Sequence, residues 1–202
     1  MTSLSFITYI LLACILVISY IAFGKTEWLE KGRHYPFLEH RDRSFYRWLS
    51  CTFLHANMAH LLLNAFVLFQ FGSAVEHKYQ IKFGAMAGSL IYLLIYLSIA
   101  VLSSIPTYLK HKENPNYASV GASGVISGLL FIYILYYPSS MLGVYFVIPM
   151  PAWLFGFLYL AYSWYAEEKL HDNIDHAAHY YGAVMGILIG ILVDPQVINK
   201  FL

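Results

Sequence analysis

The chain has 202 residues, 59% of them hydrophobic and only 11% charged, with a formal net charge of +1; its mean hydropathy is +0.60. A soluble domain carries roughly 25% charged residues, so a cytosolic enzyme is close to excluded, as are disordered and fibrous chains. The near-neutral balance argues against a nucleic-acid binder, which needs a basic face, and two cysteines build no disulfide framework.

A membrane helix takes about 20 mostly apolar residues. Residues 4–23 hold no charge. They lack a basic lead and a small-residue cleavage site, so they read as a retained helix and not as a signal peptide. Residues 24–47 form a long charged loop carrying Trp28, Tyr35, Phe37, Phe45 and Tyr46, with Trp48 just after. Aromatic rings and arginine tips suit the membrane–water interface, where short helices are expected. Residues 53–75 make a second span, interrupted by His55, His60, Asn64 and Gln70. Residues 83–104 make a third. The stretch 117–166 is uncharged and far too long for one helix. Pro138-Ser139-Ser140 breaks it into spans 118–136 and 141–165. The sixth span, 176–193, closes at Asp194-Pro195. The expected fold is an all-α membrane protein: one domain over residues 1–202, six transmembrane helices and a long interfacial first loop. No internal repeat is present. Cys14 and Cys51 read as small buried hydrophobes.

Polar residues inside spans face the bundle interior and mark function. His60 and Asn64, four apart, share one helix face. Span four opens on Gly121-Ala-Ser123-Gly124, with Gly128 one turn on. In span six, Gly182, Gly186 and Gly190 form a stripe at intervals of four, with His179 on the same side. Small residues at that spacing let helix backbones approach closely. Spans four and six are therefore expected to pack tightly and to bring Ser123 within reach of His179. A serine beside an imidazole is a candidate nucleophile and base. Donors for an oxyanion are available in the Ser123 N–H at a helix start, the Asn64 amide and the His60 imidazole. No acidic residue in the spans is placed to orient His179, which implies a dyad.

Other readings of the same residues stay open. Gly-x-Ser-Gly alone is a common packing surface. His60 and Asn64 serve equally as interhelical glue. His176, His179, Asp172 and Asp175 share roughly one helix face and present a metal-site pattern, although no H-E-x-x-H accompanies it. A histidine-lined ion or metal carrier is therefore an alternative. His55, His77, His111 and His171 read as interfacial or solvated, Glu76 as structural, and the remaining Met and aromatic residues as core or lipid-facing.

Taken together, the segments resemble the rhomboid intramembrane serine proteases. The resemblance runs from about Arg47 to Gly190. It is carried by His55-x4-His60-x3-Asn64, by Phe71-Gly72-Ser-Ala-Val-Glu76, by Gly121-Ala-Ser123-Gly124, by Ile148-Pro-Met-Pro-Ala-Trp153, and by Ala178-His179-Tyr-Tyr-Gly182 with Gly186 behind it. It implies Ser123 as nucleophile, His179 as base, and His60 and Asn64 as oxyanion-hole side chains beside the Ser123 N–H. It makes His55, Gly121, Gly124, Gly182 and Gly186 supporting positions. Two positions depart from the family pattern. An aromatic residue is usual four after the nucleophile, where Ser127 stands, and glycine is usual four before the Ala of Ala-His, where Ile174 stands.

The resemblance implies hydrolysis of single-span membrane proteins in the lipid bilayer, without metal or other cofactor. The substrate must unwind locally, since a helix hides its carbonyls. The fifth helix and the 166–175 loop would act as gate and lid, with Glu167, Glu168 and Lys169 as mobile candidates over a polar pit. A catalytically silent relative that binds and sorts membrane proteins is the other alternative, although both the serine and the histidine are present. On orientation two signals conflict. The loops 24–47, 105–116 and 167–175 hold nine of the twelve Lys and Arg residues, which would place them in the cytoplasm. The resemblance implies the reverse, with a cytoplasmic N-terminus and a site opening to the extracytoplasmic side. An interfacial loop is poor input to the charge rule, so the resemblance is preferred.

Overall fold

Residues 5–144, 148–169 and 174–201 are described in the computed structural model. The uncharged stretches fold as helices, because a backbone away from water must satisfy its own polar groups. Helix α1 (Phe6–Phe23) is followed by three short helices, α2 (Thr26–Gly32), α3 (Pro36–Asp42) and α4 (Arg47–Ser50). Then come α5 (Met58–Val67) and α6 (Ser73–Phe83), joined without interruption through a wider π turn over Leu68–Gly72. Helices α7 (Ala85–His111), α8 (Ser123–Tyr136), α9 (Ala152–Lys169) and α10 (His176–Val193) complete the bundle. Four of these segments are long and apolar enough to cross a membrane: Phe6–Phe23, Met58–Phe83, Ala85–His111 and His176–Val193. Large apolar side chains such as Leu62, Leu63, Met86, Phe157 and Leu192 point outward, as a lipid-facing surface requires. The protein is an integral membrane protein.

Helix α10 covers the residues of the expected sixth span, whereas the second runs on to Phe83 and not 75 and the third covers Ala85–His111 and not 83–104; three starts move for local reasons. The second span starts at Met58, not 53, because Asn57 caps it by accepting the His60 N–H at 2.9 Å. The fourth starts at Ser123, not 118. Ser119 is instead bridged to His34, and Gly121 adopts φ +136°, a left-handed value that ends any helix. The fifth differs most. Met141–Val144 and Ile148–Pro151 pair as an antiparallel hairpin, β1 and β2, and α9 begins only at Ala152. Pro149 and Pro151 lack the N–H a helix needs and disfavour helical backbone before them. Helix α9 also runs on to Lys169, so Glu167, Glu168 and Lys169 lie in its last turn and not in a loop. The rest of the expected lid, residues 170–173, lies outside the described residues.

Two buried polar clusters tie the outer helices to the bundle. The Glu76 carboxylate accepts the backbone N–H groups of Ile7 at 3.0 Å and Thr8 at 2.8 Å, and the Thr8 hydroxyl at 2.7 Å. It thus caps α1 from α6, where the helix dipole favours a negative group. At the far end, Asp194 accepts from Lys82 at 2.9 Å and Tyr136 at 3.0 Å, joining the ends of α6, α8 and α10. Burial works to raise the Asp194 carboxyl, but these two partners outweigh it and hold it below the usual range.

Helix α8 is the centre. Twelve of its fourteen residues are buried, all but Ser123 and Tyr133. At about 1.5 Å per residue it is about 21 Å long, short of the roughly 30 Å hydrocarbon core. A central helix meets protein on every side, so it is free of the length rule that binds lipid-facing ones, and its polar end is recessed.

Helix α10 packs on α8 through glycines. A Cβ placed on Gly182 would lie 2.0 Å from the Gly124 carbonyl oxygen, and one on Gly186 would lie 2.2 Å from that of Gly128. The pairing 124 with 182 and 128 with 186 makes the helices parallel, with both N-termini at one end. Gly190 faces side chains instead, with Leu135 Cδ1 at 2.8 Å and Ile132 Cγ1 at 3.3 Å from such a Cβ. Gly182→Ala is therefore expected to force the backbones apart and destabilise the protein by about 3 kcal/mol, the upper range of overpacking. Gly190→Ala, which meets movable side chains, should cost under about 1 kcal/mol. Thermal unfolding in detergent compares the two; equal shifts would contradict this packing.

Candidate active site

Ser123 is the first residue of α8 and His179 lies in the first turn of α10. Because the helices are parallel and nearly touch, their N-termini converge. Asp175 caps α10 by accepting the Ala178 N–H at 2.9 Å, and Ala122 precedes Ser123 after the turn at Gly121. The side chains then meet: His179 Nε2 lies 2.8 Å from Ser123 Oγ. A hydroxyl bonded to a neutral imidazole nitrogen donates to it, which leaves the ring proton on Nδ1. Both groups are half-buried. The two positive helix ends lie where a negative charge on an oxygen at Ser123 would be favoured.

The other sequence-predicted residues are arranged around this pair. His60 faces Gly121: a Cβ there would lie 2.9 Å from His60 Nε2 and 3.7 Å from Ser123 Oγ. Only glycine fits between them, and only glycine adopts that φ readily. Gly124 is similarly constrained, its Cβ position lying 3.2 Å from the Ala178 carbonyl oxygen. Asn64 is buried on α5, and its Nδ2 donates to the His60 carbonyl at 2.8 Å. One of its two amide hydrogens is thereby spent within the helix, and one remains.

His55 is not interfacial or solvated as expected but fully buried, because both ring nitrogens find partners inside the protein. Its Nε2 accepts the Ala122 N–H at 3.5 Å, and its Nδ1 pairs with Ser19 Oγ at 2.8 Å. Ser19 in turn donates to the Phe53 carbonyl at 2.9 Å. These bonds hold together only if His55 is neutral and protonated on Nδ1. The fully buried ring thus links α1 to the residue before Ser123, and it meets His60 edge-on with centroids 5.0 Å apart.

The first loop supports the same end from outside. Arg47 donates to the carbonyls of Glu30 at 2.8 Å and Arg33 at 3.1 Å. Glu39, fully buried, accepts from Trp48 at 2.9 Å and the Tyr35 N–H at 2.7 Å, and pairs with His34 at 2.8 Å. The His34 backbone is bonded both ways to Ser119, and Gly121 N–H donates to the Cys51 carbonyl at 3.0 Å. Beside Ser123 lies a cavity of about 30 Å³ whose lining mixes polar side chains such as Ser103, Thr107 and Asp175 with apolar ones such as Ala100, Val125 and Ala178; it has room for about two waters. Burial, followed by the Asp175 and Glu39 charges, pushes the Cys51 thiol up, so this neighbour stays protonated and is no competing nucleophile.

Two expectations need correction or restriction. Tyr159 is not merely a core or lipid-facing aromatic. The ring beside His179 comes from Tyr159 on α9, centroids 6.4 Å apart, and its hydroxyl lies 2.5 Å from Ser127 Oγ. Position 127, where the resemblance expects an aromatic ring, supplies that ring's anchor instead; no sequence spacing pairs residues 32 apart. Of the suggested metal group, His176 and His179 meet edge-on with centroids 6.0 Å apart, while Asp172 lies outside the described residues. Among the described residues no three His, Cys, Asp or Glu side chains come together as a metal-holding group.

Comparison with known proteins places these features in one family. A family model of the Rhomboid domain matches residues 42–196. The chain is 26% identical to "Rhomboid protease GlpG" of Haemophilus influenzae, over 92% of this chain and 90% of that protein. It is 30% identical to "Rhomboid-like protein 11, chloroplastic" of Arabidopsis thaliana, over 76% of this chain and 54% of the relative. It is 24% identical to "RHOMBOID-like protein 12, mitochondrial" of the same plant, over 69% of this chain and 44% of the relative. The chain thus spans about half the length of these two plant proteins.

His55→Ala should strand the Ala122 N–H and lower stability by roughly 1–3 kcal/mol, the cost of an unpaired buried donor. His55→Gln, which keeps an acceptor, should recover part of it. Thermal unfolding measures both, and full stability of His55→Ala would remove the bond from this account.

Proposed function

The chain belongs to the rhomboid family, and on that premise we propose that it is an intramembrane serine endopeptidase working through a Ser123–His179 dyad. The observation that carries the reading is the 2.8 Å bond between Ser123 Oγ and His179 Nε2 where two helix N-termini converge. His179 takes the Ser123 proton as Oγ attacks the scissile carbonyl. The oxyanion is stabilised by the Ser123 N–H, the His60 imidazole and the remaining Asn64 amide hydrogen. His179 then returns the proton to the leaving nitrogen, the C–N bond breaks, and an acyl-Ser123 remains. A water deprotonated by His179 attacks this ester, the C–Oγ bond breaks, and Ser123 recovers its proton. The cavity beside Ser123, with hydroxyls and Asp175 in its lining, is a reservoir for that water in a setting otherwise surrounded by hydrocarbon.

Substrates on this reading are single-span membrane proteins with small or helix-weakening residues near one interface, because the scissile carbonyl must leave its helix. The N-terminus is cytoplasmic and the site opens to the extracytoplasmic side. Supporting the enzyme over a silent, sorting relative is the presence of both dyad residues in bonding contact.

With purified protein and a model single-span substrate, Ser123→Ala and His179→Ala should each reduce cleavage by a factor on the order of 10³ or more. The double variant should lose no more than the worse single one. A serine-directed fluorophosphonate should label the wild type at Ser123. Equal cleavage by all variants would overturn the dyad, and a protein more sensitive to His176→Ala than to Ser123→Ala would favour a carrier.

A further inference from the structure

Tyr159 sits midway along α9, outside every motif that marks the site. Its hydroxyl lies 2.5 Å from Ser127 Oγ, and Ser127 donates to the Ser123 carbonyl at 2.8 Å. A serine has one proton to give. With that proton committed to a carbonyl, Tyr159 is the donor and Ser127 the acceptor. A chain of two hydrogen bonds therefore runs from α9 to the backbone of Ser123. The same ring stands 6.4 Å from the His179 ring, tilted by 34°, and is backed by Phe131 at 5.8 Å and Phe155 at 5.9 Å. One side chain thus stands beside His179 and is linked to Ser123 through Ser127.

The rest of α9 is held by apolar packing: Phe155 and Leu160 lie against the Leu130, Phe131, Ile134 and Ala183 cluster, and Tyr162 meets His176 edge-on with centroids 5.8 Å apart. Gly156 faces Ile134 and Phe131, where an added Cβ would lie 3.0 and 3.3 Å from their side chains. At the helix end Glu167 pairs with Lys110 near the surface, where ion pairs contribute little. Neither contact reaches Ser123 or His179.

We propose that Tyr159 is a positioning residue that makes the readiness of Ser123 and His179 depend on where α9 sits. The proposal rests on the peptidase reading above. With α9 against α8, the hydroxyl chain holds the Ser123 turn and the ring limits rotation of His179. When α9 moves out to admit a substrate segment, the bond to Ser127 breaks and the ring leaves His179. Return of α9 restores both, so bond cleavage follows closure and not entry.

The test uses the full chain in proteoliposomes with a model single-span substrate. Tyr159→Phe, which keeps the ring and its packing, and Ser127→Ala should each lower kcat about three- to tenfold, the range one neutral hydrogen bond supports. KM should stay within about twofold, since no ground-state substrate contact is lost. The double variant should be no slower than either single one, because both break the same chain. Labelling of Ser123 by a small fluorophosphonate needs no movement of α9 and should slow by the same factor. An unchanged kcat in both variants would overturn the proposal. So would multiplicative losses in the double variant, or normal labelling with a raised KM, which would make Tyr159 a matter of entry alone. If Tyr159→Phe fails to fold, Ser127→Ala carries the same comparison. Failure of the peptidase reading shows separately, as a wild type that neither cleaves nor labels.

Discussion

Everything at the site depends on two helix backbones meeting without side chains between them. The Cβ position of Gly182 lies 2.0 Å from the Gly124 carbonyl oxygen, and the Gly186 position 2.2 Å from that of Gly128. In lipid the hydrophobic effect gives no reason for helices to associate, so van der Waals contact at close range must supply it. The same contact sets the register. Because the glycines pair in parallel, the starts of α8 and α10 coincide, and a serine and a histidine near those starts meet. Packing and site geometry are therefore one constraint: a larger residue in the stripe would separate Ser123 and His179 as well as the helices.

The second requirement is to keep a polar cluster in a place where polar groups are costly. Three buried groups take partners from other elements. Glu76 on α6 caps α1, His55 bridges Ser19 on α1 and the Ala122 N–H, and Glu39 in the first loop collects Trp48, Tyr35 and His34. These bonds cross from helix to helix and from loop to helix, so they fix the geometry as well as satisfying the groups. The first loop, charged and aromatic, serves as a brace on the segment leading into Ser123.

Helix α9 stands apart from this arrangement. It starts late, after a hairpin, and packs on the bundle mainly through apolar side chains. Its Tyr159 places near His179 the ring that position 127 does not provide. A helix attached in this way is able to move while the α8–α10 contact stays intact.

The amino-acid sequence by itself determined a membrane-spanning helical bundle, since uncharged runs of that length leave the backbone no other way to satisfy itself. It also determined the α8–α10 contact, because glycines four apart declare a close-packed face within one helix and histidine and serine sit at known offsets from it. Those signals are local, within a turn or two of the chain. Tertiary structure alone decided what is not local. The hairpin before α9 needed Ser140 and Pro138 carbonyls to receive the Ala152 and Trp153 N–H groups. The tautomer of His55 followed from Ser19, 36 residues away, and the role of Ser127 from Tyr159, 32 residues on. Pairings between distant residues depend on how helices come together in space, and a one-dimensional pattern carries no period for them.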